Sequence, residues 1–116
     1  MKISIIIPCY NEERYIIDVL KKVNNQKKKF QLEIIIVDDC STDNTIKFLK
    51  ERPELYDKLI ISEQNKGKGN AIKLALPYLT GGITLIQDAD LEYNPDDYPA
   101  IFAPFFEDNA DIVFGT

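Results

Sequence analysis

Two short runs of this chain are too continuously apolar to lie at a surface. Ile3-Ser4-Ile5-Ile6-Ile7-Pro8 and Leu32-Glu33-Ile34-Ile35-Ile36-Val37 are rich in β-branched residues and barely alternate with polar ones. A strand with one wet face alternates; a strand covered on both faces need not, and such strands belong to parallel sheets with helices packed on each side. Between the runs, Tyr15, Ile16, Val19, Leu20 and Val23 recur with helical spacing. The pair of runs therefore reads as a strand–helix–strand unit.

The alternation continues. Asn11 is suited to cap the first helix, with Glu12 and Glu13 in its first turn. Ser41 or Thr42 is expected to open a second helix that runs to about Glu51, where Arg52-Pro53 stops it. A weaker third strand covers residues 59–62, and Gly67-Lys68-Gly69-Asn70 leads into a helix over 71–76 that Pro77 ends or kinks. A fourth strand covers residues 83–87. Asn94-Pro95-Asp96-Asp97 supplies a cap, a first-turn proline and two early acids for a further helix that Pro104 bends. Residues 112–114 read as a fifth strand. The expected class is α/β, a single domain built on a mostly parallel, doubly wound sheet with helices on both faces.

In open sheets of this class, ligands bind beyond the carboxyl ends of the strands. Three such ends are polar here: Pro8-Cys9-Tyr10-Asn11-Glu12, Asp38-Asp39-Cys40-Ser41 and Asp88-Ala89-Asp90. Residues i and i+2 of a strand share a face, so Asp88 and Asp90 converge where the fourth strand stops. Two ionised carboxylates that close repel unless a cation or proton lies between them. Mg²⁺ or Mn²⁺ suits the pair, because hard cations prefer oxygen and often bind through few carboxylates plus substrate phosphates. One of Asp38 and Asp39 is suited to accept hydrogen bonds from a base or ribose, the other to cap a turn with Ser41. Gly67-Lys68-Gly69 opens a helix and can approach a phosphate, yet it lacks the spacing of a P-loop, and no glycine fingerprint follows the first strand.

Composition removes several chemistries. The 116 residues contain no His and only two Cys, which makes zinc chemistry and His-based general base or nucleophile mechanisms a poor fit. Cys9 and Cys40 read as small buried residues in a reducing, cytoplasmic setting. The net charge of −5 argues against a nucleic-acid binder. After Lys73 no Lys or Arg occurs, whereas Asp88, Asp90, Glu92, Asp96, Asp97, Glu107, Asp108 and Asp111 do; the last three read as solvated surface. Lys21, Lys22 and Lys27 to Lys29 crowd a helix end, where cations complement the dipole. The longest apolar run is far too short to span a membrane.

Taken in order, Ile5-Ile6-Ile7-Pro8-Cys9-Tyr10-Asn11-Glu12, Val37-Asp38-Asp39-Cys40-Ser41-Thr42-Asp43-Asn44-Thr45, Asn65-Lys66-Gly67-Lys68-Gly69-Asn70-Ala71 and Asp88-Ala89-Asp90-Leu91-Glu92-Tyr93-Asn94-Pro95 resemble the amino-terminal half of a family 2 glycosyltransferase with the Rossmann-like GT-A fold. The last stretch and Asp111-Ile112-Val113-Phe114-Gly115-Thr116 look nearest to the dolichyl- and undecaprenyl-phosphate sugar transferases. The resemblance implies that Pro8, Tyr10, Glu12 and Val37 belong to the nucleotide pocket, that Asp39 binds the base with Asp38 beside it, and that Lys68 approaches the donor. It implies that Asp88 and Asp90 are catalytic through a Mg²⁺ or Mn²⁺ ion on the donor diphosphate, with Glu92 as a weaker third ligand. The donor would be a GDP- or UDP-sugar and the acceptor a polyprenyl phosphate, with transfer proceeding by inversion at the cytoplasmic face of a membrane. The metal would act as a Lewis acid on the leaving diphosphate.

Family members continue past the position of Thr116 with an acceptor-binding segment, so this chain alone is expected to bind nucleotide without efficient turnover. The alternative is a nucleotide-sugar-binding module with no transfer activity. A phosphoacceptor receiver would place its acidic pair after the first strand, and a sugar nucleotidyltransferase would carry a glycine-rich basic loop there; this sequence has neither.

Overall fold

The computed structural model describes residues 2–89, 95–100 and 112–114. The chain runs through β1 (Lys2–Cys9), α1 (Ile16–Asn25), β2 (Gln31–Asp38), α2 (Thr45–Glu51), β3 (Lys58–Ile61), α3 (Lys68–Ala75), β4 (Ile83–Ile86) and β5 (Ile112–Phe114), with short 3₁₀ turns at Gln26–Lys28, Pro53–Leu55, Leu76–Tyr78 and Pro95–Asp97. The strands form one sheet in the order β3-β2-β1-β4-β5. Each pairing is parallel, with Ile5 opposite both Ile34 and Leu85. That order is the doubly wound one, and it reverses direction between β1 and β4.

Strand parity decides which residues face which layer. Ile3, Ile5 and Ile7 of β1, Leu32, Ile34 and Ile36 of β2, and Ile83 and Leu85 of β4 pack with Ile16, Val19, Leu20 and Val23 of α1, Leu49 of α2, and Tyr98. On the other face Ile6, Ile35, Val37 and Ile86 meet Ala71 and Ala75, which share one side of α3. The central strands are thus buried on both sides, as their unbroken apolar runs predict. Each fully buried branched side chain contributes about 1.5–3 kcal/mol before the entropy cost of ordering it.

The helix starts differ from the sequence expectation. α1 begins at Ile16 rather than next to Asn11, and α2 at Thr45 rather than at Ser41 or Thr42. Asn11 sits at φ +52°. Its side-chain oxygen accepts the amides of Thr42 (2.7 Å) and Asp43 (3.3 Å), and its backbone N–H donates to Ser41 Oγ at 2.9 Å. The candidate caps of both helices are therefore spent tying the loop after β1 to the loop after β2. Asp43 takes over at α2, accepting the Thr45 amide at 2.9 Å. α3 starts earlier than expected, at Lys68, because Gly67 turns the chain at φ +88°. Pro77 falls in the turn that ends this helix.

At the amino edge of the sheet a half-buried carboxylate anchors the chain entering β4. Glu33 Oε1 accepts from Ser4 Oγ (2.8 Å) and the Thr80 amide (3.0 Å), and Oε2 accepts from Thr80 Oγ1 (2.6 Å). The Gly81 amide donates to Ser4 Oγ at 3.0 Å. A Cβ on Gly81 would lie 2.7 to 2.8 Å from Ser4 Oγ, the Lys2 carbonyl and the Ser4 nitrogen, so only glycine allows this approach. Burial works to raise the Glu33 pKa, but the hydrogen bonds from Thr80 and Ser4 and the charge of Lys2 outweigh it and hold the group below the usual range. A depressed folded-state pKa gives stability that is complete above the unfolded value near ~4.3 and is lost as pH falls through the folded value. Glu33→Gln, which turns an amide NH₂ toward these donors, is expected to cost about 1–3 kcal/mol in urea unfolding at pH 7. The difference from the parent should narrow as pH drops below about 4; equal stability at pH 7 would show that the clasp adds nothing.

Candidate functional site

The polar strand ends meet above the point where the strand order reverses. An open cleft there is lined by Pro8, Cys9, Tyr10, Asp39, Lys68, Ala71 and Asp88. β1 supplies Pro8 and Cys9, the residues after β2 and β4 supply Asp39 and Asp88, and the first turns of α3 supply Lys68 and Ala71. Tyr10 is 41% exposed and projects at the rim, whereas Asp39 is only 5% exposed.

Asp39 holds the loop that opens α3. Its two carboxylate oxygens accept the backbone amides of Lys66 (2.9 Å) and Gly67 (2.8 Å). A carboxylate at the amino end of a helix also complements the helix dipole. Each oxygen keeps a second lone pair for a ligand. Two residues of loop are thereby fixed before Lys68, whose ammonium reaches across the cleft to Asp88 Oδ1 at 2.8 Å.

Asp88 owes its position to its neighbour. The Gln87 amide extends the ladder by donating to the Ile6 carbonyl at 2.9 Å. The buried Gln87 side chain accepts from Tyr98 Oη at 2.8 Å and donates to the Asp88 carbonyl at 3.1 Å. With Gln87 locked into the α1 face, parity sends Asp88 to the α3 face and into the cleft.

Of the residues singled out in the sequence, Pro8, Tyr10, Asp39, Lys68 and Asp88 share this cleft. Val37 is fully buried in the core beneath it. Asp38 faces the other way: its carboxylate accepts from Ser41 N (2.8 Å), Ser41 Oγ (2.6 Å) and Cys9 Sγ (3.5 Å). The Glu12 amide donates to Thr45 Oγ1 at 2.9 Å, away from the cleft lining. Asp90 and Glu92 lie outside the described residues, as do Asn94 and Pro104. The Gln87–Tyr98 pair, the tie of the Lys66 and Gly67 amides to Asp39, and Ala71 were not identified from the sequence as parts of the site. Only Ala71 left a signal, a small residue one helical turn past the glycine loop.

The chemistry of the lining is narrow. Burial, reinforced by the adjacent Asp38 carboxylate, pushes the Cys9 thiol far above its usual range, so it stays protonated and is no nucleophile. Among the described residues no cluster of three or more ligand-type side chains could hold a metal unaided. Asp88 is a half-buried hard oxygen donor, which fits a Mg²⁺ or Mn²⁺ ion that completes its shell with phosphate and water. The lysines at the end of α1 and in the following turn stand at the opposite edge of the sheet, where α1 returns to the start of β2.

The Glycosyl transferase family 2 model matches residues 4–116. The chain belongs to that family. It is 30% identical to the dolichol-phosphate mannosyltransferase of Pyrococcus furiosus, over 117 residues that cover 100% of this chain and 33% of the relative. Its fold matches S. aureus TarS in complex with UDP-GlcNAc at a TM-score of 0.76 and 31% identity, covering 92% of this chain and 32% of that one. It also matches the mannosyltransferase PcManGT of Pyrobaculum calidifontis in complex with GDP-Man and Mn²⁺, at 0.66 and 33% identity over 76% of this chain and 27% of that one. The fold is that of the GT-A glycosyltransferases. The chain spans half or less of the length of the relatives it matches. No described helix is long and apolar enough to cross a membrane.

Removing the Asp39 carboxylate should release the loop rather than unfold the domain. Asp39→Ala is expected to cost about 1.5–3 kcal/mol and to speed hydrogen exchange at the Lys66 and Gly67 amides more than at β1. Unchanged exchange at those two amides would show that the loop holds itself.

Proposed function

We propose that the cleft binds the nucleoside diphosphate of a sugar donor, for inverting transfer to a polyprenyl phosphate at the cytoplasmic face of a membrane. Asp39 would meet the base or ribose, Pro8 and Tyr10 would flank the nucleoside, and Asp88 with Asp90 would hold a Mg²⁺ or Mn²⁺ ion against the diphosphate. The observation that carries the reading is the shared cleft: a buried acid after β2 and an acid after β4 line one cleft at the switch point. GDP-Man, UDP-GlcNAc and Mn²⁺ in the solved neighbours support the donor class, and the mannosyltransferase relative supports the acceptor class.

The metal, when bound, supplies Lewis-acid stabilisation of the departing diphosphate. The chain's own residues do the rest of the donor work. Asp39 holds the loop that carries Lys68, and Lys68 supplies a cation beside the phosphates in a region otherwise acidic. An acceptor that is already a phosphate anion needs little help from a general base, which suits a chain with no His. A second reading is nucleotide binding without transfer, because the residues that line the described cleft are all assigned to the donor.

Calorimetric titration of UDP, GDP and their sugar conjugates, with and without Mn²⁺, tests the assignment. At least one nucleotide should bind more tightly with Mn²⁺, and Asp88→Asn should weaken that metal-dependent binding about tenfold or more, roughly 1.4 kcal/mol. Equal binding by the variant in the presence of Mn²⁺ would remove Asp88 from the metal site. Assay of sugar transfer to polyprenyl phosphate separates the two readings.

A further inference from the structure

The Lys68–Asp88 ion pair spans the cleft between α3 and the end of β4, at a position where the function proposed above requires a divalent cation. We infer that Lys68 is a resident counter-ion for Asp88: it holds the carboxylate while the metal is away, is displaced when the metal binds, and then turns to the diphosphate. The inference rests on the metal reading of Asp88 and deepens it.

Three observations support it. Lys68 Nζ lies 2.8 Å from Asp88 Oδ1, too close for a metal ion to bind that oxygen without moving the ammonium. The side chain is 46% exposed, while its backbone is set by the two hydrogen bonds from the preceding amides to Asp39. Lys68 is also the one Lys or Arg among the residues lining the cleft, and no Lys or Arg follows Lys73 in the sequence. A half-buried carboxylate that shares its cleft with Asp39 is thus matched by a single cation on a flexible stem.

The consequence is a coupling between ligands. Metal alone must compete with Lys68 for Asp88, whereas metal carrying a diphosphate offers the displaced ammonium a new anion. Free Mn²⁺ therefore binds weakly and the diphosphate restores its affinity, a positive linkage that must act in both directions.

The experiment measures Mn²⁺ binding to the chain at low ionic strength, by the electron paramagnetic resonance signal of free Mn²⁺, first with Mn²⁺ alone and then with inorganic pyrophosphate. An exposed ion pair is worth up to about a fivefold change in affinity. Lys68→Met should accordingly bind Mn²⁺ alone about three- to fivefold more tightly than the parent and lose a similar factor for pyrophosphate with Mn²⁺ present. Lys68→Arg, which keeps the charge, should stay within about twofold of the parent on both. If Lys68→Met binds Mn²⁺ alone no more tightly, or Lys68→Arg behaves like Lys68→Met, the counter-ion role is overturned. Asp88→Asn separates the failures. If it retains parental Mn²⁺ binding, the metal reading falls and takes this inference with it; if it loses Mn²⁺ while Lys68→Met gains nothing, only the role of Lys68 falls.

Discussion

The double burial of β1 is the constraint on which the rest of the structure depends. The strand is bonded to β2 on one edge and β4 on the other, and its odd and even side chains enter different cores. Neither core is complete without it. Because β1 sits at the reversal of strand order, its carboxyl end cannot be covered by a crossover connection, and a crevice is left there. The site is a consequence of the packing, and the polar residues at the strand ends occupy space that the topology leaves open.

Within that crevice, strand parity separates adjacent residues that look equivalent. Asp38 and Asp39 are neighbours, yet one points to the α1 side and stabilises a turn through Ser41, while the other points to the α3 side and faces the cleft. The same alternation separates Gln87 from Asp88. In each pair one member fixes the backbone so that the other is presented at a defined place. The loops after β1 and β2 are joined in the same spirit: Asn11 accepts the Thr42 amide and Thr45 Oγ1 accepts the Glu12 amide, which ties the segment after Tyr10 to the segment after Asp39.

Much of this was legible in the residues themselves. The unbroken isoleucine runs carry the parallel sheet, because burial on two faces leaves an unmistakable composition, and the three residues of β5 also read as a strand. The convergence of Pro8, Tyr10, Asp39 and Asp88 follows from the rule about strand ends, and Lys68 joins them from the start of α3. The helix starts were not legible. Asn11, Ser41 and Thr42 have equal local claims as caps, and only the packing of two loops against each other decides that they bond across the gap instead. Val37 and Asp38 sit in the same motif as Asp39, so the sequence could not show which of the three faces the cleft without the register of β2. The Gln87–Tyr98 bond joins residues from separate elements and leaves no trace in either segment.

Gly67 carries a constraint of an unusual kind. Its φ of +88° and ψ of 174° fall in a region that L-residues other than glycine essentially do not occupy, yet nothing lies within 4 Å of the place where a Cβ would stand. The restriction is therefore one of handedness and not of room. By mirror symmetry, a D-residue would adopt this torsion as readily as an L-residue adopts an extended one. Evolution, confined to L-residues, has no way to add a side chain at this position, although there is ample space for one. The loop that carries Lys68 is consequently tied to glycine by chirality alone, however freely the surface around it drifts.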